Sequence, residues 1–132
     1  MDIVVTFPGG ARVDAQVGQH TVRTDQPPRG GGEDSASAPF SLFLASIATC
    51  AGIYVLGFCR QRDLPTDAIK LVQRIEVDPR TGMVGQIGID VQVPPDFPEK
   101  YHEALIRAAS QCAVKKHLEH PPAFEVKTVV AA

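Results

Sequence analysis

The sequence predicts an α+β fold in the order ββ(β)-α-ββ-α-β, with mostly antiparallel strands around a buried central helix, as a single domain over residues 1–132. Three observations carry that prediction. Ile3, Val5 and Phe7, then Ala11, Val13, Ala15 and Val17, alternate with polar or smaller residues, the period of half-buried strands. The twenty residues from Phe40 to Cys59 contain no charge. Tyr101, Leu105, Ala108 and Cys112 recur at steps of four, three and four, which is one stripe of a helix.

Pro8-Gly9-Gly10 turns the first strand into the second, so that Ile3–Val17 reads as a hairpin with Arg12, Asp14 and Gln16 on its polar face. Gly18-Gln19 permits a second turn into Thr21–Thr24. Asp25–Ser37 is rich in Gly and Pro and has no period, and so reads as a loop. Pro39 suits a first helical turn, where a missing N–H is harmless, and Leu64-Pro65 stops the helix that follows near Arg62. Ile69, Leu71, Ile75 and Val77 form one face of a strand, Asp78–Gly82 turns, and Ile87, Ile89, Val91 and Val93 return. Asp96 with Glu99 has capping-box chemistry ahead of a second helix, Glu99–Lys116. Leu118 falls off that helix's stripe, so a break is expected after Ala113. Pro121-Pro122 ends the helical region, and Phe124–Val130 reads as a final strand.

Composition narrows the function classes. A hydrophobic content of 44% and charged content of 21% suit a soluble globular domain. The net charge of −2 is spread evenly over the two halves, so no basic face is offered and nucleic acid is not an expected partner. The uncharged run is long enough for a membrane span, but its serines and glycines and its flanking amphipathic strands favour a core helix and no membrane association. Three cysteines and no secretory signal favour a reducing, cytoplasmic setting. Cys112, His117 and His120 are too few and too loosely spaced for structural zinc, so no metal and no other cofactor is expected. Gly30-Gly31-Gly32 lacks the Gly-Lys-Ser/Thr that a phosphate loop requires.

The thiols are the chemistry to weigh. Cys50 and Cys59 lie nine residues apart on one helix, about 13.5 Å along its axis, and cannot bridge. Cys50 and Cys112 belong to different helices, so a disulfide is open to them if those faces meet. Cys50 lies three turns into its helix, beyond the reach of that helix's own dipole, so a lowered pKa is expected to need a cation from another element. Lys115 and Lys116, three and four residues after Cys112, are placed to favour its thiolate. The competing reading makes all three cysteines small core hydrophobes.

Several segments resemble the osmotically inducible protein C and organic hydroperoxide resistance family, OsmC/Ohr. They are Gly30–Asp34 leading to Ala38-Pro39, the small-residue helix Leu42–Cys50 ending Ala-Thr-Cys, Val93–Phe97, and Ala108–Val114 around Cys112. The resemblance implies an intertwined homodimer with two central helices. It implies that Cys50 attacks a hydroperoxide, that Cys112 resolves the product to a disulfide, and that a thiol reductant restores both. It further implies an arginine at the thiolate, for which Arg12 is the best match, ahead of Arg23 and Arg29. Phe40, Phe43, Ile47 and Tyr54, with Ile53 beside them, are the expected walls of a pocket for the organic substituent. One position departs from the family's peroxidases: the Glu that precedes their first cysteine by ten residues is Phe40 here. That departure predicts weak activity with organic hydroperoxides preferred, and it keeps open a second reading, a non-catalytic dimeric module that binds a small apolar or thiol ligand.

Overall fold

The computed structural model describes residues 1–131. Its contacts divide the chain into two compact units, Met1–Ser46 and Ile47–Ala132.

The first unit is a three-stranded antiparallel sheet, β1 (Ile3–Gly9), β2 (Arg12–Val17) and β3 (His20–Thr24), in sequence order. Register pairs Ile3 with Val17 and Val5 with Ala15, and Ala15 in turn with Val22, which gathers the apolar side chains on one face. The chain leaves that face open, with Ile3 53% and Val5 50% exposed. The loop after β3, although aperiodic in sequence, is built around one side chain. Asp25 is buried and accepts the backbone N–H groups of Gln26 at 2.8 Å, Glu33 at 3.3 Å and Ser35 at 3.0 Å, together with the Ser35 hydroxyl. Those donors hold its carboxyl at about 2, below the ordinary 3.8. Gly32 crosses this cradle so closely that a Cβ there would lie 2.0 Å from the Gln26 carbonyl oxygen and 2.6 Å from Asp25 Oδ1.

Helix α1 (Pro39–Arg60) starts in the first unit and ends in the second. It ends where Asp63 turns left-handed at φ 53° and Leu64 donates back to the Cys59 carbonyl at 2.9 Å, a Schellman-type closure. Arg62 seals the same end, donating to the Phe58 carbonyl at 3.0 Å with its guanidinium 3.7 Å from the Phe58 ring centroid. By length and composition α1 could cross a membrane. The central helix was expected to be buried, yet its own chain covers one stripe only: Ile47, Ala51, Val55, Phe58 and Cys59. Phe40, Phe43, Ile53 and Tyr54 stay 36–57% exposed, because one hairpin and two short helices cannot surround it.

In the second unit β4 (Lys70–Val77) and β5 (Val84–Gln92) pair antiparallel, with Ile75 opposite Ile87 and Leu71 opposite Val91. Asp78 and Gly82 close their turn, Gly82 at φ 72° donating to the Asp78 carbonyl at 2.8 Å. The core joins Val55, Phe58 and Cys59 to Phe97 and Leu105, with Leu64, Ile69, Leu71 and Tyr101 packed around them.

Three expectations need correction. The expected break in the second helix falls before Ala113, not after it: a short 3₁₀ turn, Glu99–Tyr101, precedes α2 (His102–Ala109), and α3 (Ala113–Glu119) follows the break. Asp96 does not cap it, because Pro98 occupies the cap position and no side chain bonds there. Phe124–Val130 forms no strand, since no strand edge among the described residues pairs with it. It lies open, with Phe124 87%, Val126 96% and Val130 96% exposed.

Candidate functional site

The break between α2 and α3 builds the site. Ser110 turns its hydroxyl onto the Ile106 carbonyl at 2.8 Å, and Gln111 tightens the turn with a bond to Ala108 at 3.1 Å. Cys112 then leaves helical geometry (φ −51°, ψ 125°) and caps α3, its Sγ accepting the Lys115 N–H at 3.4 Å. A helix opens with several N–H groups that have no partner within it. Here the third is taken by Cys112, while the N–H groups of Val114 and Ala113 favour the charged form of Cys50, Val114 acting on Cys112 as well. The two thiols also act on each other, lowering the pKa of Cys50 and raising that of Cys112, and Cys112 Sγ lies 3.8 Å from the Ile47 carbonyl, one turn before Cys50 on α1.

The electrostatics of the pair are asymmetric. Cys50 is pulled below the ordinary thiol value of 9.0, first by the Val114 N–H, then by the Cys112 thiol, with the Ala113 N–H adding to both against a smaller opposing effect of burial. Cys112 is pushed up, first by burial and further by Cys50, while the Lys115 N–H offsets part of the rise. Of the two thiols, Cys50 is therefore the one more readily ionised. The Cys112 S–H has the Ile47 carbonyl at 3.8 Å as a second acceptor, but a thiolate is the stronger one.

Two readings from the sequence change at this point. The lowered pKa of Cys50 comes from neutral backbone donors on another element, not from a cation. The residues after Cys112 act on it through the backbone N–H groups of Lys115 and Val114, and burial outweighs their lowering effect. The sequence carried a trace of this arrangement in the misfit of Leu118. It concealed the cap, since Cys is not among the residues normally read as N-caps.

Ile47 and Cys112 also line a cleft of about 190 Å³ with Ala51, Ile87, Ile106 and Lys115. Tyr54 and Ile53 line a different hollow, near Arg62 and Gln111. Phe40 and Phe43 lie in the first unit, ring centroids 5.5 Å apart. Arg12 is in that unit too. Its Nε donates to the Gly9 carbonyl at 3.2 Å, and it borders a polar cleft with Asp14, Arg23 and Ser35. Cys59 is fully buried, with its pKa raised by that burial, and is remote in kind from the other two thiols. No group of three or more metal-binding side chains occurs among the described residues.

Known structures share this architecture. The chain is similar to a Psychrobacter arcticus 273-4 protein described as osmotic stress induced and of the detoxification response, with TM-score 0.72, 21% identity, and 86% of this chain and 85% of that one covered. It is similar to an OsmC-like protein from Mycoplasma pneumoniae (TM-score 0.70, 13% identity, 91% and 87% covered). The organic hydroperoxide resistance protein OhrB of Bacillus subtilis is a more distant likeness (TM-score 0.51, 22% identity, 89% and 90% covered). A search of the curated proteins found no match. The family model for OsmC-like protein matches residues 31–127, the span that holds α1, both strands of the second sheet and the Cys50–Cys112 pair, and the chain belongs to that family.

Proposed function

We propose that this protein reduces organic hydroperoxides with the Cys50–Cys112 pair, in oxidative-stress defence. The observation that carries the reading is the packing of Cys112, its Sγ 3.8 Å from the Ile47 carbonyl, against the helix that carries Cys50, supported by the lowering of the Cys50 pKa by the Val114 N–H, the Cys112 thiol and the Ala113 N–H. The family supports a redox or stress-defence role more broadly.

In this mechanism the Cys50 thiolate attacks the terminal oxygen of R–O–O–H. An S–O bond forms, the O–O bond breaks, and the alkoxide leaves as alcohol after taking a proton. The Cys112 sulfur then attacks the Cys50 sulfenic acid. An S–S bond forms, the S–O bond breaks, and water departs, which protects Cys50 from further oxidation. The Ala113 and Val114 N–H groups favour the Cys50 thiolate and need no reorganisation during attack. Arg12 is the cation proposed to assist. Activity is expected to be modest, because Phe40 supplies no carboxylate to orient that cation.

Homodimerisation follows from the surfaces one chain leaves uncovered: the open face of the first sheet, the bare stripe of α1, and the unpaired Phe124–Val130 segment. A second copy would cover all three, and we assign α1 to that protein interior, not to a membrane. Three sulfhydryl cysteines suit a reducing cytoplasm.

Thiol titration before and after one equivalent of cumene hydroperoxide tests the reading. Two thiols should disappear and peptide mapping should find Cys50 joined to Cys112, with Cys59 still free. Unchanged thiols would instead favour the binding-module reading, which the cleft beside Cys112 also supports. A monomer by light scattering at micromolar concentration would overturn the dimer.

A further inference from the structure

Helix α3 has little of its own to keep it folded. It is seven residues long, well under the roughly 12–15 at which a helix begins to hold in water without tertiary support. Val114 is half-buried and the other residues of α3 are exposed. Its first turn carries Lys115 and Lys116 and no acidic residue, the wrong sign for the positive end of a helix. What anchors it stands just ahead of it. Cys112 is buried, with its Sγ 3.8 Å from the Ile47 carbonyl on α1. That Sγ accepts the Lys115 N–H at 3.4 Å, and the Cys112 carbonyl accepts the Lys116 N–H at 3.1 Å. One sulfur therefore has two duties: it caps α3, and it is the sulfur that the proposed function draws into a disulfide.

We propose that α3 is a redox-gated helix, folded on the Cys112 sulfur while the pair is reduced and unwound from its first turn once Cys112 is bonded to Cys50. The trigger rests on the disulfide of the reading above; the cap itself does not. Closing the S–S bond removes one proton and one electron from each thiol, and the two electrons reduce the hydroperoxide to alcohol and water. The place of the Cys112 sulfur is then set by the S–S bond and no longer by the cap, and the S–H that faced the Ile47 carbonyl is gone. An exposed helix of this length has no burial to offset a lost cap. The same turn carries the Ala113 and Val114 N–H groups that favour the Cys50 thiolate. Reduction thus rebuilds the first turn of α3 and the donors of Cys50 together.

Lys115 and Lys116 give α3 its own trypsin sites, and proteolysis of a segment that opens quickly tracks how much of it is open. The folded protein is exposed briefly to trypsin after reduction with dithiothreitol or oxidation with diamide, which takes up the two electrons as its hydrazine. Mass spectrometry then follows each cut, and peptide mapping identifies the Cys50–Cys112 bond in the oxidised sample. Cleavage after Lys115 and Lys116 should be about five-fold faster in the oxidised protein, the scale of a lost N-cap. Cleavage after Arg80, in the exposed turn between β4 and β5, should not change. Under reducing conditions Cys112→Ala should be cut in α3 as fast as the oxidised natural chain. Cys112→Ser, whose hydroxyl can still cap, should be cut slowly with or without diamide. Should Cys112→Ala also open β4 at Arg74, the oxidised chain and Cys112→Ser carry the test. Equal cleavage of α3 in the reduced and oxidised chains overturns the proposal, and so does rapid cleavage of α3 in Cys112→Ser. If diamide forms no Cys50–Cys112 disulfide, the pairing behind the proposed function fails and this inference falls with it. If diamide forms it and opens α3 but hydroperoxide forms none, the peroxidase reading fails alone.

Discussion

The two units hold an anion by the same means and to different ends. In the first, the Asp25 carboxylate gathers three backbone N–H groups and the Ser35 hydroxyl. In the second, the N–H groups of Val114 and Ala113 and the Cys112 thiol lower the pKa of Cys50. Neither site relies on an ion pair. The outcome differs because the starting acidities differ. A carboxylate is already charged near neutrality, so further stabilisation, to about 2, only fixes a loop. A thiol begins at 9.0, so the same donors move it toward the range where charge means nucleophilicity. One donor set makes a keystone in one place and a reactive group in the other.

Removing each central group breaks the comparison most directly. Cys50→Ser should cut hydroperoxide consumption at least about 1,000-fold, as loss of a nucleophile does, with little change in Tm. Asp25→Asn should instead lower Tm, because an amide N–H₂ turned among N–H donors loses their bonds. Full peroxide consumption by Cys50→Ser would show that Cys50 is not the nucleophile.

The next effect tests how tightly the carboxylate cradle is closed. Gly32→Ala forces a Cβ against the Gln26 carbonyl and the Asp25 carboxylate, and should destabilise by more than about 2 kcal/mol. Gly10→Ala is the control: its φ is 58°, but nothing lies within 4 Å of its Cβ position, so only about 1 kcal/mol of left-handed strain is expected. Equal losses in chemical denaturation would mean that the close approach at Gly32 is relieved cheaply.

How much of this was legible follows from what each signal encodes. Strand alternation located four of the strands within a residue or two, and β3 was open from Gly18-Gln19, since burial on one face leaves a period in the sequence. The Cys50–Cys112 pairing was suggested by family likeness, and Cys112 Sγ lies 3.8 Å from the carbonyl of Ile47 on the helix that carries Cys50. The donors to Cys50 were invisible because backbone N–H groups have no letter. They are free only because Cys112 abandons helical φ and ψ, and no Gly or Pro marks that point. Asp25 was overlooked for a similar reason: its partners are mostly amides of a loop without period. Phe124–Val130 shows the opposite failure, a good strand pattern that lacks an edge to pair with.

A single atom sharpens the thiol side. Ala113→Pro removes one N–H at the first position of α3, where proline fits, and Cys112 at ψ 125° already has the backbone that a following proline requires. The Cys50 titration, read by iodoacetamide labelling against pH with peptide mapping, should move up toward 9.0, and labelling near neutrality should slow several-fold. An unmoved titration would leave Val114 and the Cys112 thiol as the whole cause.

Cys59 sets the baseline for a thiol without donors. It is fully buried in the core with Val55, Phe58 and Leu105, and burial raises its pKa. Cys59→Ala should destabilise by about 1 kcal/mol through the small void it leaves. Disulfide formation between Cys50 and Cys112 should be unaffected, and loss of that disulfide in a folded Cys59→Ala would place Cys59 in the redox chemistry after all.

The smallest effect appears only in acid and reads the Asp25 cradle alone. Its folded pKa, about 2, lies below the ordinary 3.8, so above 3.8 the cradle's contribution is fully present. As pH falls below 3.8 the unfolded chain takes up the proton first, while the folded chain must keep its carboxylate charged. Stability from this group therefore declines down to about 2 and then levels off, when both states are protonated. Asp25→Asn cannot titrate and lacks that decline. The Tm gap between the natural chain and Asp25→Asn should thus be constant near neutrality and shrink between about pH 4 and pH 2. A gap that held constant over that window would mean that the carboxylate is no more stabilised in the fold than in the unfolded chain, and the likeness between the two anion sites would end there.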